Sequence, residues 1–418
     1  MSTPCGIDFG TSNSTLGVIR QDKAVLLPLE QQHITLPSAL FFNFDENHTC
    51  FGRAAIDDYI DGEFGRLMRS LKSLLGSSLM SQGTHIKQRQ VSYSQIIGEF
   101  INEMKHRAEA QLGGELQQLV AGRPVHFVDG DKRADQAAQD ALEEIYRQVG
   151  FSEVEFQFEP IAAALNYEQQ LQQEELALIV DIGGGTSDFT LIRLSPERLN
   201  KADRYQDILA TTGVHIGGND FDRRFNLAKA MPALGMGSHM QGGSRLELPS
   251  GPYFDLATWH LIHNQYERSN IHQMESLRLR VEQPKLIERL VTLLKNQDGH
   301  RLIGQIEACK ITLAKQLEAS LDLSFIESSL SLDCQRKEFE QATQQEVDGI
   351  RQTIQQSLQS AQLTAEQISS VFLTGGTTGL PSVRQAVEAL LPHCKLVEGD
   401  RFGSVGLGLT VDAQRRFK

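Results

Sequence analysis

The chain has little cysteine, a single tryptophan and no long apolar run. Its five cysteines, at positions 5, 50, 309, 334 and 394, are odd in number and include no Cys-x-x-Cys. That scatter suits a reducing, cytoplasmic setting and argues against a disulfide framework or a cysteine-based metal centre. No apolar stretch approaches the ~18 residues that a membrane-crossing helix needs. The opening Met1-Ser2-Thr3-Pro4-Cys5 lacks the basic-then-apolar order of a secretion signal. Basic residues are in deficit too, since 40 Lys and Arg against 53 Asp and Glu leave a formal charge of −13. This balance argues against a general nucleic-acid or anionic-membrane surface and still permits a local basic pocket. With 418 residues, 40% hydrophobic and 22% charged, the chain is long enough for two to four globular domains or subdomains.

What the chain does have is a Gly-rich turn between two short β-type runs, and it has it twice. Leu176-Ala177-Leu178-Ile179-Val180 ends in Asp181-Ile182-Gly183-Gly184-Gly185-Thr186-Ser187-Asp188, and Phe189-Thr190-Leu191-Ile192 follows. The pattern reads as a β-hairpin. Glycines permit positive φ and let another group approach the backbone, so such a turn suits an anion nest. Taken alone it also reads as a structural hairpin with polar turn residues. Carboxylates beside a phosphate site make sense when a Mg²⁺ lies between them, which singles out Asp181 and Asp188. About 170 residues earlier, Gly6-Ile7-Asp8-Phe9-Gly10-Thr11-Ser12-Asn13-Ser14-Thr15 repeats the order, a separation suited to a duplicated half-domain. Two facing hairpins would clamp a polyphosphate. Neither is followed by the Gly-Lys-Ser/Thr of a Walker loop. Further on, Val371 to Pro381 reads as a strand, a Gly-Gly turn and a Pro-started helix over 382–391.

Periodicity predicts a helix over 94–112 with Ile97, Phe100, Ile101 and Met104 on one face, and helices over 135–150, 303–317 and 404–416. A strand over 117–125 ends at Pro124. Arg66 to Gly76 reads as a basic amphipathic turn whose charges face solvent. The stretches 259–294 and 339–361 read as long helices, the first interruptible at Pro284. Glu168 to Glu175, rich in glutamine, reads as the linker between lobes. In the Gly-, Ser-, Met- and His-rich segment 231–252, His239 has no second ligand at a metal spacing.

With these three Gly-rich segments in order, the chain resembles the actin-like ATPase superfamily. Glu159-Pro160-Ile161-Ala162-Ala163-Ala164 and Gly217-Gly218-Asn219-Asp220-Phe221-Asp222 resemble its DnaK-type chaperone branch, in particular the stand-alone YegD-like proteins. The resemblance covers nearly the whole chain. It implies an α/β fold of two lobes, built on duplicated ribonuclease H-like mixed sheets, with inserted subdomains and a central nucleotide cleft. Lobe I would comprise 1–172 and 403–418, with an insertion at about 36–115; lobe II would comprise 173–402, with an insertion at about 223–340.

The resemblance also implies ATP or ADP and Mg²⁺ as cofactors. Asp8, Glu159, Asp181, Thr186 and Asp188 match positions that orient Mg²⁺, the attacking water or the γ-phosphate, with Asp8 and Asp181 holding the metal mainly through water. Gly10, Thr11, Ser12, Asn13, Gly183, Gly184, Gly185, Gly217 and Gly218 match nucleotide-binding segments. Glu307 and Lys310 match a helix face that touches ribose or base. Gly375, Gly376, Thr377 and Thr378 match the shelf under the adenosine, and Asp400 an acidic position near the nucleotide. Pro124 matches a proline that couples nucleotide state to conformation.

Three departures stand out. The family carries a lysine shortly after a Phe-Gly-like turn, contacting the γ-phosphate and the attacking water; counting from Phe51-Gly52 places Ile56 there. Gly379 stands where the adenosine shelf has an arginine. The sequence ends at Lys418, where chaperones of this family continue into a peptide-binding domain. The expectation is therefore a stand-alone, monomeric ATP-binding protein, a slow Mg-dependent ATPase that couples nucleotide state to a client or co-chaperone. No nucleic-acid or membrane partner is expected. The alternatives are an ATP-binding sensor that barely turns nucleotide over, a small-molecule kinase of the same superfamily, or an actin-like filament protein.

Overall fold

The computed structural model describes residues 3–77, 80, 82–128, 130–201, 203–241, 246–397 and 403–417. The chain divides into two compact units: 1–215 with 352–378 and 387–418, and 216–351 with 379–386.

The first unit opens with β1 (Cys5–Phe9), β2 (Asn13–Arg20) and β3 (Lys23–Leu26), an antiparallel meander that buries Cys5, Ile7, Phe9, Leu16 and Val18. β4 (Leu36–Pro37) pairs with β2. β5 (Ala39–Asn43), β6 (His48–Phe51) and β7 (Gly65–Arg69) form a small sheet, on which α1 (Arg53–Ile60) packs through Ala55 and Ile56. The hairpin β8 (Gly83–Ile86) and β9 (Arg89–Ser92) leads into α2 (Tyr93–Leu112). Ser92 and Gln95 form a capping box at its start, and Gly113, at φ 67°, ends it. Ile96, Ile97, Phe100, Ile101, Met104 and Ala108 are buried along one face of this helix, the stripe its sequence period requires. β10 (Gln118–Arg123), α3 (Lys132–Gln148), β11 (Glu153–Phe158) and α4 (Glu159–Glu168) follow. β12 (Glu175–Ile182), β13 (Ser187–Leu194) and β14 (Ile208–Val214) then repeat the opening meander.

The second unit is largely helical, with α5 (Gly218–Ala233), α6 (Gly251–Leu256), α7 (Arg268–Arg278), α8 (Pro284–Lys295) and α9 (Gly299–Lys315). A hairpin of β15 (Glu318–Asp322) and β16 (Ser331–Gln335) precedes α10 (Arg336–Ala342). Two long helices expected from the sequence are broken. The stretch 259–294 falls into a 3₁₀ segment (Trp259–Tyr266), α7 and α8, because Gln283, before Pro284, takes a non-helical backbone. The stretch 339–361 breaks at Thr343, whose backbone leaves the helical region (φ −106°, ψ 13°) while its hydroxyl and its N–H both donate to the Phe339 carbonyl, at 2.9 and 3.0 Å. α11 (Gln344–Ser360) resumes beyond it.

The chain then adds β17 (Ser370–Thr374), α12 (Pro381–Leu390), β18 (Lys395–Val397) and α13 (Ser404–Arg416). One sheet runs β11-β10-β1-β2-β3 with β4 alongside, and the other β18-β17-β12-β13-β14. In each, the first two strands of a three-strand meander pair antiparallel while the first also pairs parallel with a later strand, which pairs parallel with the next. The two sheets therefore have one topology, the duplication that the twin hairpins predict. Both lie in the first unit.

α4 and α13 pack together within this unit. α4 turns Ile161, Ala164 and Leu165 to the second sheet and Ala162 to Leu409 and Ala413 of α13. The approach is close: a Cβ on Gly408 would lie 1.9 Å from the Ala162 carbonyl oxygen, and one on Gly6 2.4 Å from the Thr410 nitrogen. Helical glycine costs ~1 kcal/mol relative to alanine, a cost offset here because no larger residue lets these backbones meet.

Candidate functional site

The two hairpin turns are built differently. In the first, a Cβ on Gly10 would lie 2.1 Å from the Asn13 carbonyl oxygen, so glycine is needed to close the turn. Ser38 braces it: its hydroxyl donates to the Gly10 carbonyl at 2.7 Å and meets the Ser14 hydroxyl at 2.9 Å, and its N–H donates to the Ser12 carbonyl at 2.9 Å. In the second, the Gly183 N–H donates to the Thr186 carbonyl at 2.9 Å. Neither Gly183 nor Gly185 adopts a positive φ, contrary to the expectation for this turn, and the space beside Gly185 is open. Here glycine leaves the backbone uncovered. Gly375 is the residue that requires the left-handed region, at φ 79°, where a Cβ would also lie 2.2 Å from the Ile182 carbonyl oxygen. The shelf residues thus lie against the second hairpin: Thr377 donates to the Gly183 carbonyl at 3.2 Å, and Thr378 to the Gly375 carbonyl at 2.7 Å.

Strand ends aim the carboxylates. Asp8 and Asp181 occupy matching places in β1 and β12, and Glu159 is the first residue of α4. Glu159, Asp181 and Asp188 line one cavity with Pro124, Thr211 and Thr374. Burial, then the Glu159 charge, pushes Asp8 up to about 7. Burial, then the Asp181 charge, does the same to Asp188, although its side chain reaches the water of the cavity; Thr186 donates to it at 3.4 Å. Asp181 is raised by burial and Glu159, against a hydrogen bond from Thr374.

A residue missed in the sequence completes the cluster. The segment 66–76 is not a solvated amphipathic turn: it is β7 followed by a 3₁₀ turn, Leu71–Leu74, with Leu71 buried. The ammonium of Lys72 lies 2.5 Å from Glu159 Oε1, with the two side chains only 10% and 16% exposed. Burial alone would lower the lysine, but the charges of Glu159 and Asp8 outweigh it and raise the group. Ile56, placed by counting at the family's lysine position, instead packs beside Ala39, Phe41 and Ala55 under the small sheet. The correction has a physical basis. Distance from a Phe-Gly turn carries no information about which lysine the fold buries; the partner that identifies Lys72 is 87 residues away.

Asp8, Glu159, Asp181 and Asp188 therefore outnumber the one ammonium among them. Such an oxygen donor set, with excess negative charge, fits a hard divalent cation such as Mg²⁺.

The remaining expected residues belong to the second unit or fall outside the described residues. In the second unit Gly217 and Gly218 start α5, and the Lys310 ammonium reaches the Gly218 carbonyl at 3.4 Å and Asp222 Oδ2 at 2.6 Å. Burial holds Asp222 up at about 6 against the pull of Lys310, with Glu307 and Asp220 adding to the rise. The structure thus joins Lys310 to Gly218 at the start of α5, with the Glu307 charge acting on the same Asp222. Asp400 lies outside the described residues. Among the described residues no helix is long and apolar enough to cross a membrane.

The chain is similar to chaperones over nearly its full length. It is 27% identical to the chaperone protein DnaK of Mycoplasma mycoides subsp. mycoides over 92% of this chain and 54% of that protein. Identity to the chaperone protein HscA homolog of Haemophilus influenzae is 25%, over 98% of this chain and 57% of that protein. The DnaK of Thermosipho melanesiensis matches at 25%, over 92% of this chain and 54% of its own. The chain therefore spans about half the length of the curated relatives it matches. A family model described as Hsp70 protein matches residues 4–228 and 287–412. On that match, which takes in both hairpins, Glu159 and the shelf, the chain belongs to the Hsp70 family.

Proposed function

We propose that this chain binds ATP with Mg²⁺ and hydrolyses it, and that a protein client or co-chaperone reads the resulting nucleotide state. One observation carries the reading: Asp8, Lys72, Glu159 and Asp181, far apart in sequence, form one half-buried charged cluster beside two Gly-rich turns. Catalysis of phosphoryl transfer rests on positioning and charge, and the cluster supplies both. The backbone and hydroxyls of Gly10 to Asn13 and Gly183 to Thr186 would hold the phosphates. Asp8 and Asp181 would hold Mg²⁺, mainly through water, and the bound ion would offset the phosphate charge. The Lys72 ammonium would then turn from Glu159 to the γ-phosphate, freeing the Glu159 carboxylate to take a proton from the attacking water. Gly375 to Thr378 would carry the adenosine. Gly379 in place of an arginine removes one stacking contact and lowers affinity for the base.

Steady-state hydrolysis tests this reading. Wild type should turn ATP over only with Mg²⁺, and Asp181→Ala should lose at least about tenfold of that rate, with Thr186→Val also reduced. ATP binding without any turnover would overturn the ATPase reading in favour of a nucleotide sensor. Phosphate transfer to a small acceptor in place of water would favour a kinase.

A further inference from the structure

Outside the nucleotide site, the small sheet of the first unit gathers three ligand types of unlike chemistry. His48 and Cys50 are two apart on β6 and so share one face of the strand. Asp58, in the second turn of α1, reaches the same point. His48 Nε2 lies 3.0 Å from Cys50 Sγ, and the Cys50 thiol donates to Asp58 Oδ2 at 3.0 Å. All three ligand atoms lie within 4.8 Å of one another.

The second sphere is in place as well. His48 Nδ1 lies 3.3 Å from Glu46 Oε2; with the ring proton on Nδ1, the Nε2 lone pair is left for the thiol side. A carboxylate behind the ring is the arrangement that orients metal-bound histidines. Between Nε2, Sγ and Oδ2 there is then a single thiol proton for three lone-pair-bearing atoms. The surrounding charge has the sign a cation needs: Asp57 is on the same helix as Asp58 and Asp61 caps its C-terminus, while the one cation of that helix, Arg53, is paired at 2.8 Å with Glu30.

We propose that His48, Cys50 and Asp58 form a site for a divalent transition metal, with Zn²⁺ the best match to one nitrogen, one sulfur and one oxygen ligand. The two separations made by Cys50 Sγ, 3.0 Å each, are slightly shorter than the edge of about 3.5 Å expected for a tetrahedral zinc with bonds near 2.0 and 2.3 Å, so a small outward movement of the ligands admits the ion. On binding, the Cys50 S–H bond breaks, its proton passes to solvent, and the sulfur lone pair forms the metal bond. Water fills the fourth position. Half-exposed and formed by a strand and the helix after it, the site would pin β6 to α1. The cysteines' scatter in sequence conceals it, since two ligands are a strand pair and the third comes from the following helix.

Titration of the metal-free full chain with Co²⁺ and then Zn²⁺ tests the proposal. One equivalent of Co²⁺ should give a thiolate-to-metal charge-transfer band in the near ultraviolet, and one equivalent of Zn²⁺ should abolish it. Cys50→Ser should remove the band, which separates this thiol from the other four. Glu46→Gln, isosteric and exposed, should keep the fold and weaken Zn²⁺ by about 10–100-fold. A band that survives Cys50→Ser, or an affinity unmoved by both variants, would mean adventitious binding and overturn the site; so would no one-equivalent binding of either metal.

Discussion

Lys72→Ala is expected to lower ATP turnover by about 10²–10³-fold while Mg²⁺-dependent ATP binding weakens by less than about tenfold. The inequality follows from where the charge is needed. The ammonium is already held by Glu159 at 2.5 Å, inside a cluster of excess negative charge. Transferring it to a phosphate replaces one anion with another, so ground-state binding gains little. As charge builds on the departing phosphoryl group, the preorganised cation gains most, and the change appears in the rate. Ile56→Val provides the contrast: Ile56 touches the Ala39, Phe41 and Ala55 cluster and none of the carboxylates, so turnover should stay within about twofold of wild type, as for other mild changes remote from a site. Single-turnover hydrolysis with a separate affinity measurement checks both. Equal losses in binding and rate from Lys72→Ala would make the lysine a ground-state anchor only.

Arg204→Met is the second large effect, and it falls on stability. Arg204 is buried and holds Glu168 through two bonds, 2.9 and 2.7 Å, while its Nε donates to Asp207, which Arg198 also contacts. Glu168 has one further donor, the Ser195 N–H at 2.9 Å. Removing the guanidinium leaves Glu168, itself 1% exposed, with that single neutral partner in place of a bidentate cation. Breaking a buried pair from one side costs about 3–5 kcal/mol, a large fraction of the ~5–15 kcal/mol that stabilises a typical domain. Urea unfolding should show that loss, and Glu168→Leu added to Arg204→Met should recover part of it, since the stranded charge is then gone. A single variant within about 0.5 kcal/mol of wild type, the range of ordinary surface changes, would mean that water reaches this network. The sequence reads Glu168 as the start of the linker between lobes; the ion pairs make it a fixed end of α4.

These two residues mark the limit of what the sequence discloses. The hairpins around Gly10 and Gly183–Gly185 are legible because both strands and the turn lie within about 20 residues, where alternation and glycine are direct signals. The last helix, bounded by Ser404 and Arg416, is legible for the same reason. Lys72 and Arg204 are not. Each looks like an ordinary surface cation in its local window, and each is defined by a carboxylate that only the fold brings near. His48, Cys50 and Asp58 fail in the same way, with the strand period visible and the helix ligand not. The broken helices at Gln283 and Thr343 show the opposite error, in which a sustained period hides a local backbone competitor.

Calorimetric titration of the metal-free chain with ATP, with Mg²⁺ and then with excess EDTA, tests the central claim most directly. The account expects one ATP per chain with micromolar affinity when Mg²⁺ is present, weakened at least about tenfold by chelation and by Asp8→Ala. No saturable heat at millimolar ATP, or an affinity indifferent to both Mg²⁺ and Asp8, would contradict the assignment of the two hairpins and their carboxylates to a metal–nucleotide site.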